Sequence, residues 1–327
     1  MADDFGYINA RLRPRRANLL PESFFEEGLR LNFSEFYRSL AETPYGAFLS
    51  EESVRGVDKA VSLELEKTVG DLLRLASGDT KAALELILLR GDLQNLKLIL
   101  RGKANQQKPE EIETHLGGGS FSPALLRALL DAPDAAAMAG VLTLPGHLLA
   151  QALRRAVTET QDALGLEVAL DQAFFRATQK QAVALGERYL SQYLTLELDT
   201  INLSTAFKLQ VSKTHPPFDG YFIPGGHLVS SNLFNRVAAG ENSALAELAG
   251  TALASVSELA DPAQAESALR CALISAAHRG VSDPLGAGLA LDFIVRKNWE
   301  AARVRLLARR SFYYLPAERV AREVFCP

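Results

Sequence analysis

Apolar residues recur along most of this chain at steps of three and four, the spacing that places them on one face of an α-helix. The clearest run is Val57–Ala76. Gly78 is expected to stop that helix, and Asp79 to cap the next one. The apolar positions then continue in two further runs, at residues 82–87 and 93–100. The first third of the chain is therefore predicted to be helical.

The same spacing predicts helices through the rest of the chain. The predicted helices are Leu148–Gln161, Val168–Gln181, Tyr189–Phe207, Ser267–Ala277, Leu285–Ile294 and Trp299–Arg310. Alternating, β-branched segments are scarce. The segment Tyr221–Val229 hints at extended structure, but prolines and glycines interrupt it. We therefore predict an all-α fold.

A polar pattern occurs twice in the predicted helices. Asp92 and Asn95 are followed by a leucine, and Asp199 and Asn202 repeat that arrangement 107 residues later. Residues three apart lie on one helical face, where an Asp and an Asn can cap a neighbouring helix or satisfy buried backbone groups. We favour that structural role over a binding site, because a repeat copies scaffolding more readily than chemistry.

The segments around this pattern repeat as well. Without a gap, the offset of 107 residues aligns Gly118-Gly119 with Gly225-Gly226, Phe121 with Leu228, and Leu126 with Leu233. A second marker is a threonine that closes a helical run, and it occurs at Thr43, Thr143 and Thr251.

A third copy of the polar helix is weaker. It runs over Trp299–Arg310 and has Ala302 in place of the asparagine. The chain is therefore predicted to contain three divergent helical repeats, at residues 1–110, 111–215 and 216–327. Repeats of this size exceed the roughly 20–50 residues of short solenoid repeats.

Composition narrows the class of protein. The chain has 327 residues, of which 48% are apolar, enough for two or three domains with a large core. A net charge of −4 argues against a general nucleic-acid binder. The most apolar stretch, Ala82–Leu100, contains four charged residues and is not expected to span a membrane. The segment Met1–Arg16 lacks the apolar region of a secretory signal, so we expect a soluble or peripheral, cytoplasmic protein.

Residues that carry chemistry show little pattern. Cys271 and Cys326 have no CxxC partner, and the expected compartment predicts two reduced thiols. The Gly-rich segment Leu116–Ser120 lacks the Lys-Ser or Lys-Thr of a phosphate loop, so it is predicted to be a plain loop. No two histidines have the i, i+4 spacing of a helical metal site. The sequence thus predicts no catalytic residue, no metal, no cofactor and no small-molecule substrate.

Two clusters of basic residues are candidates for contact with a partner. Their members are Arg11, Arg13, Arg15 and Arg16 near the N-terminus, and Arg303, Arg305, Arg309 and Arg310 near the C-terminus. A solvated charged face is the ordinary explanation of such clusters. Alternatively, they bind an acidic protein surface or anionic lipid headgroups, where each basic side chain contributes about 1 kcal/mol.

Several segments together point to a known family. They are Asp4–Arg11, Leu89–Leu96, Leu196–Gln210, Asp283–Gly286, Trp299–Ala301 and Arg305–Arg310. In their order and spacing they resemble the C subunit of bacterial and archaeal V/A-type rotary ATPases, whose eukaryotic V-ATPase counterpart is the d subunit. The resemblance covers essentially the whole chain and is closest to the bacterial members.

The resemblance implies a funnel of three similar helical-bundle domains with pseudo-threefold symmetry around a central hollow. It implies a peripheral position on the cytoplasmic face of the membrane, on the proteolipid ring, with the tip of the central stalk (the D and F subunits) in the hollow. Such a rotor subunit is non-catalytic and transmits torque that couples ATP synthesis or hydrolysis to the transport of an ion, either a proton or sodium.

Two other classes of protein stay open at this point. A free-standing helical-repeat adaptor would bind another soluble partner and be found only in the soluble fraction. A helical enzyme would have a deep pocket lined by converging carboxylates or histidines.

Overall fold

The computed structural model describes residues 5–144, 147–159, 163–212, 215–257, 259 and 262–326. In these ranges the chain forms fifteen α-helices, five short 3-10 helices and no strand, which confirms the predicted all-α class. The α-helices, numbered α1 to α15, are Phe5–Ala17, Glu22–Gly28, Phe33–Ala41, Val54–Leu75, Gly78–Ala104, Pro109–Glu113, Pro123–Asp131, Ala135–Thr143, Leu148–Glu159, Ala163–Ala184, Arg188–Val211, Ser231–Ala238, Pro262–His278, Gly288–Tyr313 and Ala317–Val324.

Five of the predicted helices correspond to single helices of the structure with shifted ends, namely α4, α9, α10, α11 and α13. The predicted end of α9, at Gln161, lies outside the described residues. The predictions broke two long helices that are in fact continuous. The runs at 82–87 and 93–100 both belong to α5, and the helices predicted on either side of residues 295–298 are one helix, α14. Neither gap contains a proline, so nothing in the backbone forces a break.

The junction between α4 and α5 differs in detail from the prediction. Gly78 does not stop α4 but is the first residue of α5, with a φ of +54° that favours glycine. Asp79 is not the cap. It lies in the first turn of α5, where its negative charge complements the helix dipole. Residues 221–229, which hinted at a strand, form an irregular loop instead.

The chain divides into two compact units. Unit 1 comprises residues 1–174 and 293–325, and unit 2 comprises residues 175–292 with 326–327. The boundaries fall inside α10 and α14. One core of unit 1 packs α2, α3 and α4 against the second half of α14 and α15, with Phe25, Phe36 and Leu307 at 0% exposure. The core of unit 2 packs α11 against α12 and α13.

The described helices were also searched for membrane spans. None of them combines the length and the apolar character that crossing a bilayer requires.

The prediction of two reduced thiols is wrong. Cys271 of α13 and Cys326 form a disulfide, with 5.5 Å between their Cα atoms. Disulfide formation depends on that distance, which must lie at about 4.4–6.8 Å. A separation of 55 residues along the chain does not reveal it.

Candidate functional site

The N-terminal arginine cluster lies on α1. Arg11 and Arg13 are exposed, whereas Arg15 and Arg16 are half-buried. The Arg11 guanidinium lies 5.3 Å from the ring centroid of Tyr7 and donates a hydrogen bond to its hydroxyl at 3.2 Å. This cation–π contact holds one arginine of the cluster in place at the surface.

The C-terminal cluster lies on α14, and its first arginine is buried. Arg303 is 7% exposed and donates to both carboxylate oxygens of Glu22 at 2.7 and 2.8 Å. Its guanidinium carbon stacks 3.6 Å from the centroid of Phe25. A planar guanidinium suits this combination of ion pair and stacking, which a lysine would not reproduce.

The other three arginines of this cluster also bind inside unit 1. Arg309 makes a bidentate ion pair with Asp58 at 3.0 and 2.8 Å, and Arg305 donates to the hydroxyl of Ser62 at 2.7 Å. Arg310 donates to a backbone carbonyl between α2 and α3 at 2.8 Å. Burial lowers the pKa of Arg305, and the Asp58 carboxylate offsets part of that effect. The two clusters therefore differ, because only the N-terminal one presents exposed guanidiniums.

A buried ion network lies on the same helix. The ammonium of Lys297 is 2.6 Å from Glu300 and 2.8 Å from Glu64, and the Tyr45 hydroxyl donates to Glu300 at 2.8 Å. Burial raises the pKa of Tyr45 well above its usual value of 10, and the two carboxylates raise it further. The phenol is therefore a proton donor at neutral pH, and the network joins α4 to α14.

The repeated Asp–Asn pairs anchor loops, which is the structural role predicted for them. Asp92 accepts the N–H of Phe121 at 2.9 Å, and Asp199 accepts the N–H of Val229 at 3.0 Å. Both aspartates and both asparagines are buried. In each copy the carboxylate binds the residue that immediately precedes the N-cap serine of the next helix, α7 or α12. Their role is to fix where those helices begin.

Glu300 supplies the same anchor a third time, and the sequence reading missed it. Its carboxylate accepts the N–H of Leu20 at 2.6 Å, and Leu20 immediately precedes Pro21, the N-cap of α2. The sequence alignment placed Trp299 opposite the aspartates and Ala302 opposite the asparagines. In the structure the carboxylate is one residue later, and a glutamate replaces the aspartate. A search for any carboxylate near this position would have found it.

The gapless alignment of the first two copies is correct at the glycines and one residue out after them. A Cβ atom at Gly119 would collide with the Asp92 carboxylate, and one at Gly226 would collide with that of Asp199. The cap serines, at positions 122 and 230, are 108 residues apart rather than 107. Phe121 therefore corresponds to Val229, not to Leu228.

The threonine marker has the same geometry in two of its three positions. The hydroxyls of Thr43 and Thr251 each donate to the carbonyl three residues before and accept the N–H two residues after. Thr143 instead donates to the carbonyl four residues before. Each threonine closes or follows a helical run, as predicted.

Comparison with known proteins gives a consistent result along the chain. A family model described as ATP synthase (C/AC39) subunit matches residues 8–323. The V-type ATP synthase C subunit of Thermus thermophilus is 46% identical over 327 residues, which cover 100% of both chains. The V-type C subunit of Deinococcus radiodurans is 35% identical over 99% of this chain and 92% of its own length. The A-type C subunit of Halorubrum lacusprofundi is 26% identical over 97% and 96%.

Proposed function

The chain belongs to the ATP synthase (C/AC39) subunit family, and we propose that it connects the central stalk to the proteolipid ring of a V/A-type rotary ATP synthase. In this role it contacts the D and F subunits of the stalk, turns with the rotor and transmits torque that couples ATP synthesis or hydrolysis to ion transport, with the proton as the first candidate ion. It is a structural component of the complex and not a catalytic subunit.

The observation that carries this proposal is similarity over the full length. Relatives named as C subunits of V-type ATP synthases match nearly every residue of the chain. The polar groups of the interior support a mechanical role. The carboxylates Asp92, Asp199 and Glu300 are each engaged by backbone donors of the chain itself.

We further propose that the three predicted repeats, at 1–110, 111–215 and 216–327, form three lobes of a funnel with a central hollow. The three loop anchors support this arrangement, because each joins a long helix to the start of a short one in the same way. Small-angle X-ray scattering from the isolated chain tests it. A funnel gives a distance distribution depleted at short separations relative to a solid body of equal mass.

The eight arginines of the two clusters remain the proposed partner contacts, and exposure ranks them. Arg11 and Arg13 are exposed and offer positive charge to an acidic surface. Arg303, Arg305 and Arg309 already bind carboxylates or hydroxyls of this chain. We therefore expect the N-terminal pair to contribute more to partner binding.

Co-purification tests the assignment. Detergent-solubilised membranes that contain the tagged chain should yield the proteolipid ring together with the D and F subunits. Washing the membranes without detergent should leave the chain bound, as expected for a peripheral protein on the cytoplasmic face. Recovery of the chain from the soluble fraction alone would instead support the alternative, a helical-repeat adaptor for a soluble partner.

Charge reversal refines that experiment. The double substitution Arg11→Glu and Arg13→Glu should lower the recovered partner subunits several-fold, because it places negative charge against an acidic surface. Arg154→Glu, at an exposed arginine outside both clusters, is the matched control. Equal recovery with all three proteins would remove α1 from the proposed interface.

A further inference from the structure

A cavity of about 450 Å³ opens in unit 1. It lies between α4 on one side and the segment from α6 to the start of α7 on the other, with a single residue of α5 at its floor. Its volume falls in the range of cavities that hold small ligands or a few residues of peptide. The loop at Gly117 and Gly118, both with positive φ, contributes backbone rather than side chains to its wall.

The floor residue is Asn95, and its amide is only half used. Asn95 is 2% exposed, and its Oδ1 accepts the N–H of Gly117 at 2.9 Å. Its counterpart Asn202 uses both ends of the amide, accepting the N–H of Ile223 at 2.9 Å and donating to the carbonyl of the same residue at 2.8 Å. Within the part of the chain that the structure describes, the Nδ2 of Asn95 meets no such carbonyl. A buried donor without an acceptor is unfavourable by about 1–3 kcal/mol, so a ligand that brings an acceptor would bind here.

The charged lining of the cavity selects the sign of the ligand. Carboxylates outnumber cations there by four to two. The carboxylates are Glu51, Glu66, Glu110 and Glu113, and the cations are Arg55 and Lys59. A ligand with a positive charge is therefore favoured by the net potential of the lining. Leu63, which is 36% exposed, adds apolar surface at the same wall.

We propose that this cavity binds a short extended peptide segment of a partner protein, carrying a lysine or arginine beside an apolar residue. A peptide carbonyl supplies the acceptor that Asn95 lacks, the cation meets the glutamates, and the apolar side chain packs on Leu63. A simple polyamine would satisfy the charge but brings no acceptor for the Asn95 amide. The site does not depend on the rotor function, because a soluble adaptor could use it equally.

A random hexapeptide array, probed with the fluorescently labelled full-length chain, tests the proposal. We expect bound peptides to be enriched in lysine or arginine and depleted in aspartate and glutamate. The strongest binder, synthesised with blocked ends, should bind in solution by fluorescence polarisation, and spermidine should compete only weakly.

Two variants connect binding to the cavity. Asn95→Asp keeps an oxygen for the Gly117 N–H but removes the free donor, and the pair Glu66→Gln with Glu110→Gln lowers the negative charge at exposed positions. Each should weaken binding of the selected peptide about tenfold or more. Glu26→Gln, at an exposed glutamate of α2 outside the cavity, should leave it unchanged.

The outcomes separate cleanly. Array binding without enrichment in basic residues, or spermidine competing as well as the peptide, would overturn the proposal. So would unchanged affinity in the Glu66/Glu110 pair, which replaces surface side chains and so tests the cavity even where Asn95→Asp fails to fold.

Discussion

At the scale of single residues, two glycines mark where a loop touches a buried carboxylate. Gly226 lies so close to Asp199 that any Cβ atom would displace one of them. Gly119 has the same relation to Asp92. The side chains of two aspartates therefore determine which residue type the loop can hold at these points.

Gly226→Ala should lower the free energy of unfolding by about 1–3 kcal/mol, because the added methyl group forces the loop away from its anchor. Gly70→Ala is a matched control inside α4, where a Cβ atom would meet nothing within 4 Å. That change should raise stability by about 0.5–1 kcal/mol, since alanine favours a helix over glycine. Urea denaturation of the three proteins checks both signs, and equal midpoints for Gly226→Ala and the wild type would contradict the close approach.

Tyr45 predicts a dependence of stability on alkaline pH. Its pKa in the folded protein is raised above 10 by burial and by the nearby carboxylates. The unfolded chain therefore loses the phenolic proton at a lower pH than the folded protein does. The stabilisation is fully present below about pH 10 and is lost as the pH rises above that value.

Tyr45→Phe separates this effect from all other titrations. At neutral pH the variant should be less stable by about 2 kcal/mol, because the hydrogen bond to the Glu300 carboxylate is lost. Above pH 10 the difference between the two proteins should shrink. Urea unfolding at pH 7 to 11 measures it, and a difference that stays constant with pH would show that Tyr45 ionises normally in the fold.

At the scale of elements, the recurring unit is a long helix whose buried carboxylate holds the loop before a short helix. Asp199 accepts three N–H groups in succession, those of His227, Leu228 and Val229, at 3.0–3.1 Å. The loop has no strand or helix of its own, so these bonds determine its path. The start of α12 depends on them as much as on its N-cap.

Asp199→Asn should release this loop. The amide has one acceptor oxygen in place of two, so at least one backbone donor loses its partner, at about 1–3 kcal/mol. Hydrogen–deuterium exchange at residues 227–229 should become faster, while exchange in the middle of α11 changes little. Asp219→Asn, at an exposed carboxylate that accepts one side-chain bond from Asn235, is the control. Unchanged exchange at 227–229 in Asp199→Asn would show that other contacts hold the loop.

The sequence predicted the helices better than their connections. Amphipathic spacing identified α4, α9, α10, α11 and α13, because burial of one face leaves a periodic trace. It also found the anchors at Asp92 and Asp199, since both copies keep the same spacing. Glu300 escaped because the third copy changes the residue type and shifts by one position. The partner of its carboxylate, Leu20, is 280 residues away in the sequence.

The arginines show the same limit of sequence reasoning. Both clusters look alike in sequence, as closely spaced guanidiniums on a helix. Arg303 and Arg309 are paired with Glu22 and Asp58, which lie 281 and 251 residues earlier. No local pattern predicts such pairs, so the sequence could not separate internal ion pairs from a free surface.

At the scale of the whole molecule, unit 1 is built from both ends of the chain. The second half of α14 packs on α2, α3 and α4, and Arg303, Arg309 and Glu300 bind residues of the first sixty. Closing such a structure requires contacts between residues that are remote in sequence, and ordering them has an entropic cost. Cross-links that shorten the open chain therefore have a large effect on stability.

The disulfide between Cys271 and Cys326 is such a cross-link, and it predicts a redox dependence of stability. It joins residues 55 apart, and closing a loop of that length in the unfolded chain stabilises the fold by about 4 kcal/mol. Cys326→Ser should lower the free energy of unfolding by up to that amount. A phosphine reductant should lower the wild type to the same value and leave the variant unchanged. Urea denaturation with mass-spectrometric counting of free thiols measures both. Identical unfolding of the oxidised and reduced wild type would show that the bond adds nothing, because the packing of α15 already holds the end of the chain.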